Sequence, residues 1–519
     1  MRRATLGFIL IIIVGAGGLF TWKYLGPRLF NRSQISTSDS PSEMSRLAIG
    51  GDNYLGYWFL TSPEMIKAAA RGGIQIDFKD DGGAYAQRLE KFAAGEHDLI
   101  VLPVNSYLQH GVKHRYPGVI VAAVCESRGA DGIVAFGDKV PGGKVNDLDN
   151  NRLRFVLTPD SPSSFLLDLT IADFDLQSLR AAPPGWVQAA DGSSDVLKKL
   201  RKGEGDVFIL WEPDLSKALE IAGVRYLWGS DKFSGYIVDV IVAQRSLVSR
   251  KPELIERFLD VYFRTLTLYA GNRERMIQEM SKATDLKAKT IEAMMQKIDW
   301  FDLAENSRRQ FGLADSQSHG QPLSEGVVNT IIACTDVMRR AGTFSEDPLQ
   351  GNPYLITHSA SIEKLIARGG PMAVQSQGID SFSELDDAQW QRLSPLGTFR
   401  LESITFQAWN NLLSPEGKEK VDRIAQLLIH NYPDYRILVR GHTAPGGDEE
   451  ANQALSLSRA QAVAQYLKAV HQLDPNRLRA EGLGSRQPLP QLPGESHRAH
   501  TYRLPRVEFV ALERVPKQP

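Results

Sequence analysis

One arginine and the backbone around it are the residues in this chain whose types and spacing best suit a carboxylate. The stretch Arg436–Ala460 reads RILVRGHTAPGGDEEANQALSLSRA. Alternating Ile437 and Val439 predict a strand that runs into Gly441-His442-Thr443. A Gly-rich polar loop containing Asp448 follows. A helix then opens near Asn452 and carries Arg459 one to two turns in. A strand ending beside a helix N-terminus gathers free N–H groups and one guanidinium around a shared hollow, which suits a carboxylate.

A second set of residues is mostly neutral. Phe155-Val156-Leu157 runs into Thr158-Pro159-Asp160-Ser161-Pro162-Ser163-Ser164, a strand entering a hydroxyl-rich helix start. The pattern reads equally as an ordinary Ser cap with Pro in the first turn and as a seat for an anion on free N–H groups. An internal echo gives this loop a setting. Gly95-Glu96-His97-Asp98-Leu99-Ile100-Val101-Leu102 is matched by Gly203-Glu204-Gly205-Asp206-Val207-Phe208-Ile209-Leu210. Each is a helix stop, a tight turn and a buried strand. Two equivalent units predict two facing lobes, with the loops at the carboxyl ends of their strands lining the crevice. Asn53, Tyr54, Asp81, Gly82, Gly83, Asn105, Ser106, Ser161, Ser163, Ser164, Trp211 and Glu212 are therefore expected in one cleft, holding a small solute by stacking and hydrogen bonds.

Other chemistries find no footing. Lys+Arg at 60 against Asp+Glu at 61 leaves no basic field for nucleic acid. The sequence has no His-Glu-x-x-His, no Cys–His cluster with zinc spacing and no nucleophile elbow. No metal, cofactor or catalytic residue is assigned, and the chain does not read as an enzyme. Cys125 and Cys334 read as two buried thiols, although an exported protein could join them.

The positioning elements follow from periodicity. Strands alternating with helices from Leu47 onward predict an open, mostly parallel α/β sheet. Crossovers between lobes are expected near Phe136–Val140 and Gly235–Asp239, with lobe two at about 141–234. Trp211-Glu212-Pro213, the returning strand Ile237–Val242 and the helix opening at Lys251-Pro252-Glu253 complete the pattern. On these features residues 46–342 resemble a periplasmic substrate-binding protein of the nitrate, taurine and thiamine-precursor type. That resemblance implies a two-lobed trap that closes on a small solute, with an ABC permease or another inner-membrane protein as partner.

The flanks set the location. Met1-Arg2-Arg3 precedes an uncharged, mostly apolar run that ends at Trp22-Lys23-Tyr24. This predicts a single membrane span over 4–24, with the bulk of the chain in the periplasm. A cleaved signal peptide is the rival. The span holds no Asp or Glu, which argues against an ion-conducting motor subunit. Ser-rich 25–45 predicts a flexible spacer, and Gly, Pro and Ser through 343–400 predict a partly ordered linker with short helices at Ile362–Ile366 and Ala388–Leu393.

Over 401–513 an α+β domain is expected. It has a strand at Leu401–Phe406, a helix capped by Ser414, the stretch described first, and a last strand at Arg503–Phe509. Gly441, His442, Thr443, Asn452, Leu455, Ser456, Arg459 and Ala460 match the core of the OmpA-like, peptidoglycan-binding domain, which this segment resembles. The resemblance implies that Arg459 grips the diaminopimelate of the wall peptide, with Thr443, Asp448, Asn452 and Arg506 around it. Ala444 stands where that family has an aspartate, and Leu504-Pro505 replace the two residues before Arg506. The whole chain reads as a single-pass, inner-membrane receptor for a solute that also contacts peptidoglycan. The competing reading is a structural envelope tether whose two-lobed part docks proteins.

Overall fold

The computed structural model describes residues 44–174, 176–182, 185–313, 324–371, 382–399, 404–406, 411–491 and 494–513. The expected span over 4–24 and almost all of the 25–45 spacer lie outside these residues. Among the described residues no helix is long and apolar enough to cross a membrane.

The chain builds Ser45–Gly51 (β1), Ile74–Asp80 (β2), Leu99–Pro103 (β3) and Gly118–Ser127 (β4). It then leaves for Asp131–Phe136 (β5), Phe155–Leu157 (β6), Val187–Ala189 (β7), Val207–Trp211 (β8) and Val224–Gly229 (β9), and returns as Val238–Gln244 (β10) and Ile298–Trp300 (β11). The first sheet has the order β11-β4-β10-β3-β1-β2 and the second β7-β6-β8-β5-β9. The β3 and β4 strands are buried along their whole length, as expected of apolar runs covered on both faces.

The sequence echo has a topological counterpart. In the first sheet β3 lies beside the returning antiparallel strand β10, and in the second β8 lies beside the entering antiparallel strand β5. Two lobes result, joined by Ser127–Asp131 and by Gly229–Val238. The first crossover comes earlier than the expected 136–140 because Asp131–Phe136 is already paired in the second sheet. The lobes touch: Gln109 Nε2 donates to Asp160 Oδ1 at 2.6 Å, and His110 Nε2 lies 3.2 Å from the Asp160 carbonyl.

The described residues of 343–400 are folded more fully than the partly ordered linker expected there, and its two expected short helices appear as Ala360–Ala367 and Asp387–Gln391. Leu349, Ile356, Ile362 and Leu365 are buried, and Thr357 bridges to Ile120 of the first sheet. Lys364 and Arg368 both pair with Glu256, at 2.7 and 2.8 Å. The Gly, Pro and Ser marked sharp turns between short packed elements, not a lack of core. Pro395–Phe399 (β12) opens the third sheet, where Leu401–Phe406 had been expected; residues 401–403 lie outside the described set. Arg436–His442 (β13), Leu478–Gly482 (β14) and Arg506–Leu512 (β15) complete it in the order β12-β15-β13-β14. Pro505 sits just ahead of β15, where its missing N–H costs no ladder bond.

The third sheet is packed on the second lobe. Phe174, which follows the Pro162–Asp173 helix, lies 6.0 Å from Phe399 in a stacked pair and 4.7 Å from Trp228 edge-on. Phe399 in turn meets Tyr432 at 4.7 Å. One buried apolar set therefore runs from the second lobe into the carboxyl-terminal domain.

Candidate functional site

The interlobe cleft is built from strand ends, and its charges are matched internally. Arg88 is fully buried on the inner face of the Tyr85–Ala93 helix. It donates to Asp52 at 2.8 Å, to both Asp81 oxygens at 2.6 and 2.7 Å, and to the Val101 carbonyl at 2.5 Å. One guanidinium thus ties together the ends of β1, β2 and β3. Burial opposes its charge, and the Asp52 and Asp81 carboxylates more than restore it. Asp81 also accepts from the Gly83 and Ala84 N–H groups, so it shapes the loop. Gly82 and Gly83 have φ of +67° and +88°, which favours glycine. A Cβ added at Gly83 would lie 3.9 Å from Trp211 Cζ2, so the indole of one lobe sits against the loop of the other.

Glu212 is likewise engaged. Its carboxylate takes Lys297 Nζ, the Ser216 hydroxyl at 2.7 Å and the Ser216 N–H at 3.1 Å. Ser161 caps its helix by accepting from the Ser163 N–H at 3.1 Å, and Ser164 closes the reciprocal bond to Ser161. Asn53 is exposed. Of the hydroxyl-rich loop, the ordinary cap therefore accounts for Ser161 and Ser164.

What remains unmatched is neutral. Asn105 Oδ1 and Nδ2, Ser106 Oγ, Ser163 Oγ, Thr158 Oγ1 and Tyr54 Oη are all buried without a hydrogen-bond partner. Asn105 is 1 % exposed, and Ser106 and Ser163 are fully buried. They stand at the ends of β1, β3 and β6 and so come from both lobes. Two carboxyls lie at the crossovers below. Burial pushes Asp131 up to about 6, and burial pushes Asp239 up to about 8 despite its bond from Tyr57.

The second site lies where β13 meets the Glu449–His471 helix. A Cβ at Gly441 would lie 2.0 Å from the Ser456 carbonyl, and one at Gly482 would lie 2.4 Å from the Leu457 nitrogen. Only glycine at both positions lets the helix rest directly on the two strand ends. Ser456 Oγ then accepts from the Gly484 N–H at 2.9 Å, and the Thr443 N–H donates to the Gly484 carbonyl at 2.9 Å. Arg459 Cζ lies 5.1 Å from the Phe406 ring centroid, and its Nε is buried without a hydrogen-bond partner. Burial lowers its pKa. Thr443 Oγ1 is buried and also unpartnered.

Residues 405–500 match the OmpA family. The relatives cover the same part. Outer membrane protein A of Klebsiella aerogenes is 36% identical over 94 residues, 18% of this chain and 27% of that protein. The probable lipoprotein YiaD of Escherichia coli (strain K12) is 32% identical over 87 residues, 17% of this chain and 39% of that protein. The chain therefore spans well under half the length of the curated relatives it matches. Among solved structures, the alkanesulfonate-binding protein SsuA from Xanthomonas axonopodis pv. citri is 15% identical, with a TM-score of 0.46 over 59% of this chain and 96% of that one. The periplasmic nitrate-binding protein NrtA from Synechocystis is 10% identical, with a TM-score of 0.45 over 64% and 92%.

Within the OmpA-family domain the remaining expected contacts have other work. Asp448 is the helix N-cap, accepting from the Ala451 N–H at 2.8 Å. Asn452 Nδ2 donates to the Gly446 carbonyl at 2.8 Å and pins the loop. Arg506 donates to Glu508 at 2.6 Å and to the Gln487 and Leu504 carbonyls. Burial would raise Glu508, but His442 at 3.2 Å and Arg506 hold it at about 2. Arg459 and Thr443 are thus the two expected wall residues with unmatched atoms. Arg88, Thr158 and Lys297 were absent from the expected site. Arg88 had a readable signal, since it falls on the apolar stripe with Tyr85, Leu89 and Phe92.

Proposed function

We propose that this chain is an envelope receptor, anchored in the inner membrane by 4–24. Its two lobes close on a small solute in the periplasm, and its OmpA-family domain holds peptidoglycan. An ABC permease or another inner-membrane protein receives the loaded lobes. One observation supports the solute above all. Asn105 and Ser106 from one lobe, and Thr158 and Ser163 from the other, bring buried and unmatched polar atoms to the strand ends between the lobes. Buried polar groups are almost always paired, so a cluster of exceptions calls for a partner. The wall contact is supported by Arg459, which has a ring beneath it and a buried Nε without a hydrogen-bond partner among the described residues. A diaminopimelate carboxylate would supply the missing charge.

The test is native purification followed by denaturation and mass spectrometry of what is released. The lobes should yield a small polar solute from wild type and none from Asn105→Leu with Ser163→Val. If wild type releases nothing and a metabolite library shifts no melting curve, the trap reading fails. The tether reading is favoured by a different fact, the continuous core between the second lobe and the OmpA-family domain. It predicts envelope defects on deleting 46–342 with no change in uptake of any solute.

A further inference from the structure

The two chain crossings between the lobes share a contact with the OmpA-family domain, and we propose that this domain is a brace on the hinge. Its docking and the closure of the lobes form one linked equilibrium. As regulation of the cleft, this rests on reading the cleft as a ligand trap. The contact is made by one turn, Asn431–Asp434. Asn431 Nδ2 donates to the Ser234 carbonyl at 2.9 Å, and the Ser234 N–H donates back to the Asn431 carbonyl at 2.7 Å. Ser234 belongs to the second crossover. Asp434 lies 3.5 Å from Arg128 of the first crossover. Arg128 itself donates to the Phe233 carbonyl at 3.0 Å, so both crossings are held together as well as to the domain. Gly235, at φ +70°, sits inside this contact.

The grip extends to the elements that carry the cleft residues. The Tyr432 hydroxyl donates to Asp173 at 2.6 Å, and Arg340 pairs with the same carboxylate at 2.9 Å. Asp173 ends the helix whose first turn bears Ser163. Arg340 ends the Gly326–Arg340 helix, which packs on that helix and on Val104–Gly111, the one bearing Asn105 and Ser106. Rotation of one lobe against the other changes backbone angles in the crossings. The Asn431–Ser234 pairing fits one setting of those angles. Whatever favours docking therefore favours that setting, and the reverse holds equally.

The experiment needs neither solute nor wall. Cys125 and Cys334 are buried, so spin labels can be directed to the exposed positions Lys79→Cys in the first lobe and Lys198→Cys in the second. The distance between them is measured in the full chain, alongside hydrogen exchange at the Ser234 amide. Tyr432→Ala should release the domain. Tyr432→Phe with Asn431→Ala keeps the ring and removes the side-chain bonds, in case the first variant loses its fold. Release should speed Ser234 exchange about tenfold or more, the effect of losing ~1.4 kcal/mol, and add a longer interlobe distance. Fast exchange with an unchanged distance overturns the brace. So does slow exchange in both variants, because these contacts would then not hold the domain. A chain that binds no solute can still pass, which separates this failure from that of the trap.

Discussion

The cleft and the OmpA-family pocket dispose of charge in opposite ways. At the cleft, buried Arg88 has Asp52 and Asp81, and half-buried Lys297 has Glu212. The groups left without partners are amides and hydroxyls. In the OmpA-family domain it is the acid that is consumed, with Glu508 held by Arg506 and His442, while Arg459 lies over an aromatic ring with its Nε unpartnered among the described residues. Under the proposed function the first arrangement would select a ligand by the geometry of hydrogen bonds. The second would select by sign of charge, and binding there should weaken with salt.

The sharpest break in this contrast is Arg88→Ala. It strands two carboxylates at the cleft wall and should cost about 3–5 kcal/mol in urea unfolding of the lobes. The same measurement on the OmpA-family transition should be flat. If Arg88→Ala costs no more than a surface substitution, the cleft is not organised by that ion pair.

Acid titration comes next. Glu508 is held at about 2, below its unfolded value, so its contribution is present above the unfolded carboxylate range near ~4.3 and is lost as pH falls toward 2. Melting of the OmpA-family domain should drop over that window, and Glu508→Gln should flatten the drop. Asp239 runs the other way. Its folded value of about 8 means the folded lobes keep a proton that the unfolded chain has released, so lobe stability should decline as pH rises from about 4 to 8. Asp239→Asn should lessen that decline, and Asp131, raised to about 6, should account for part of what remains.

Asn105→Leu should stabilise the lobes by ~1 kcal/mol, since it removes two unmatched polar atoms from the interior. The same change should abolish solute release, a trade expected of a binding residue and not of a packing one. Arg459→Ala should have the smallest effect on stability, within ~0.5 kcal/mol, yet should reduce retention on purified peptidoglycan. Equal retention would remove Arg459 from the wall contact.

Much of the scaffold is legible in the sequence. Helical and strand periods around the repeated Gly-Glu-x-Asp turn located β3 and β8 and, through them, the paired lobes. The same reading brought Asn105, Ser106 and Ser163 to strand ends. It assigned Asp81, Ser161, Ser164 and Glu212 to the ligand without foreseeing the loop, cap and ion-pair bonds that also engage them. Sequence distance explains the omission. Lys297 lies 85 residues from Glu212, and no local pattern announces such a pairing. Arg88 was nearer, and a charge on an apolar stripe was a sign that an acid must be waiting. The packing of the expected linker was missed for a related reason. Leu349 and Ile356 belong to no regular period, yet both are buried.

The shared core between the second lobe and the OmpA-family domain also bears on synthesis. The lobes emerge first, and until the last hundred or so residues leave the ribosome, Phe174 and Tyr236 have lost the aromatic neighbours that shelter them. A nonsense mutation near Gly370 would make that interval permanent. Such a truncated protein would carry a sticky aromatic face, and clumping or rapid degradation is the fate to expect of it, even though every cleft residue would still be present.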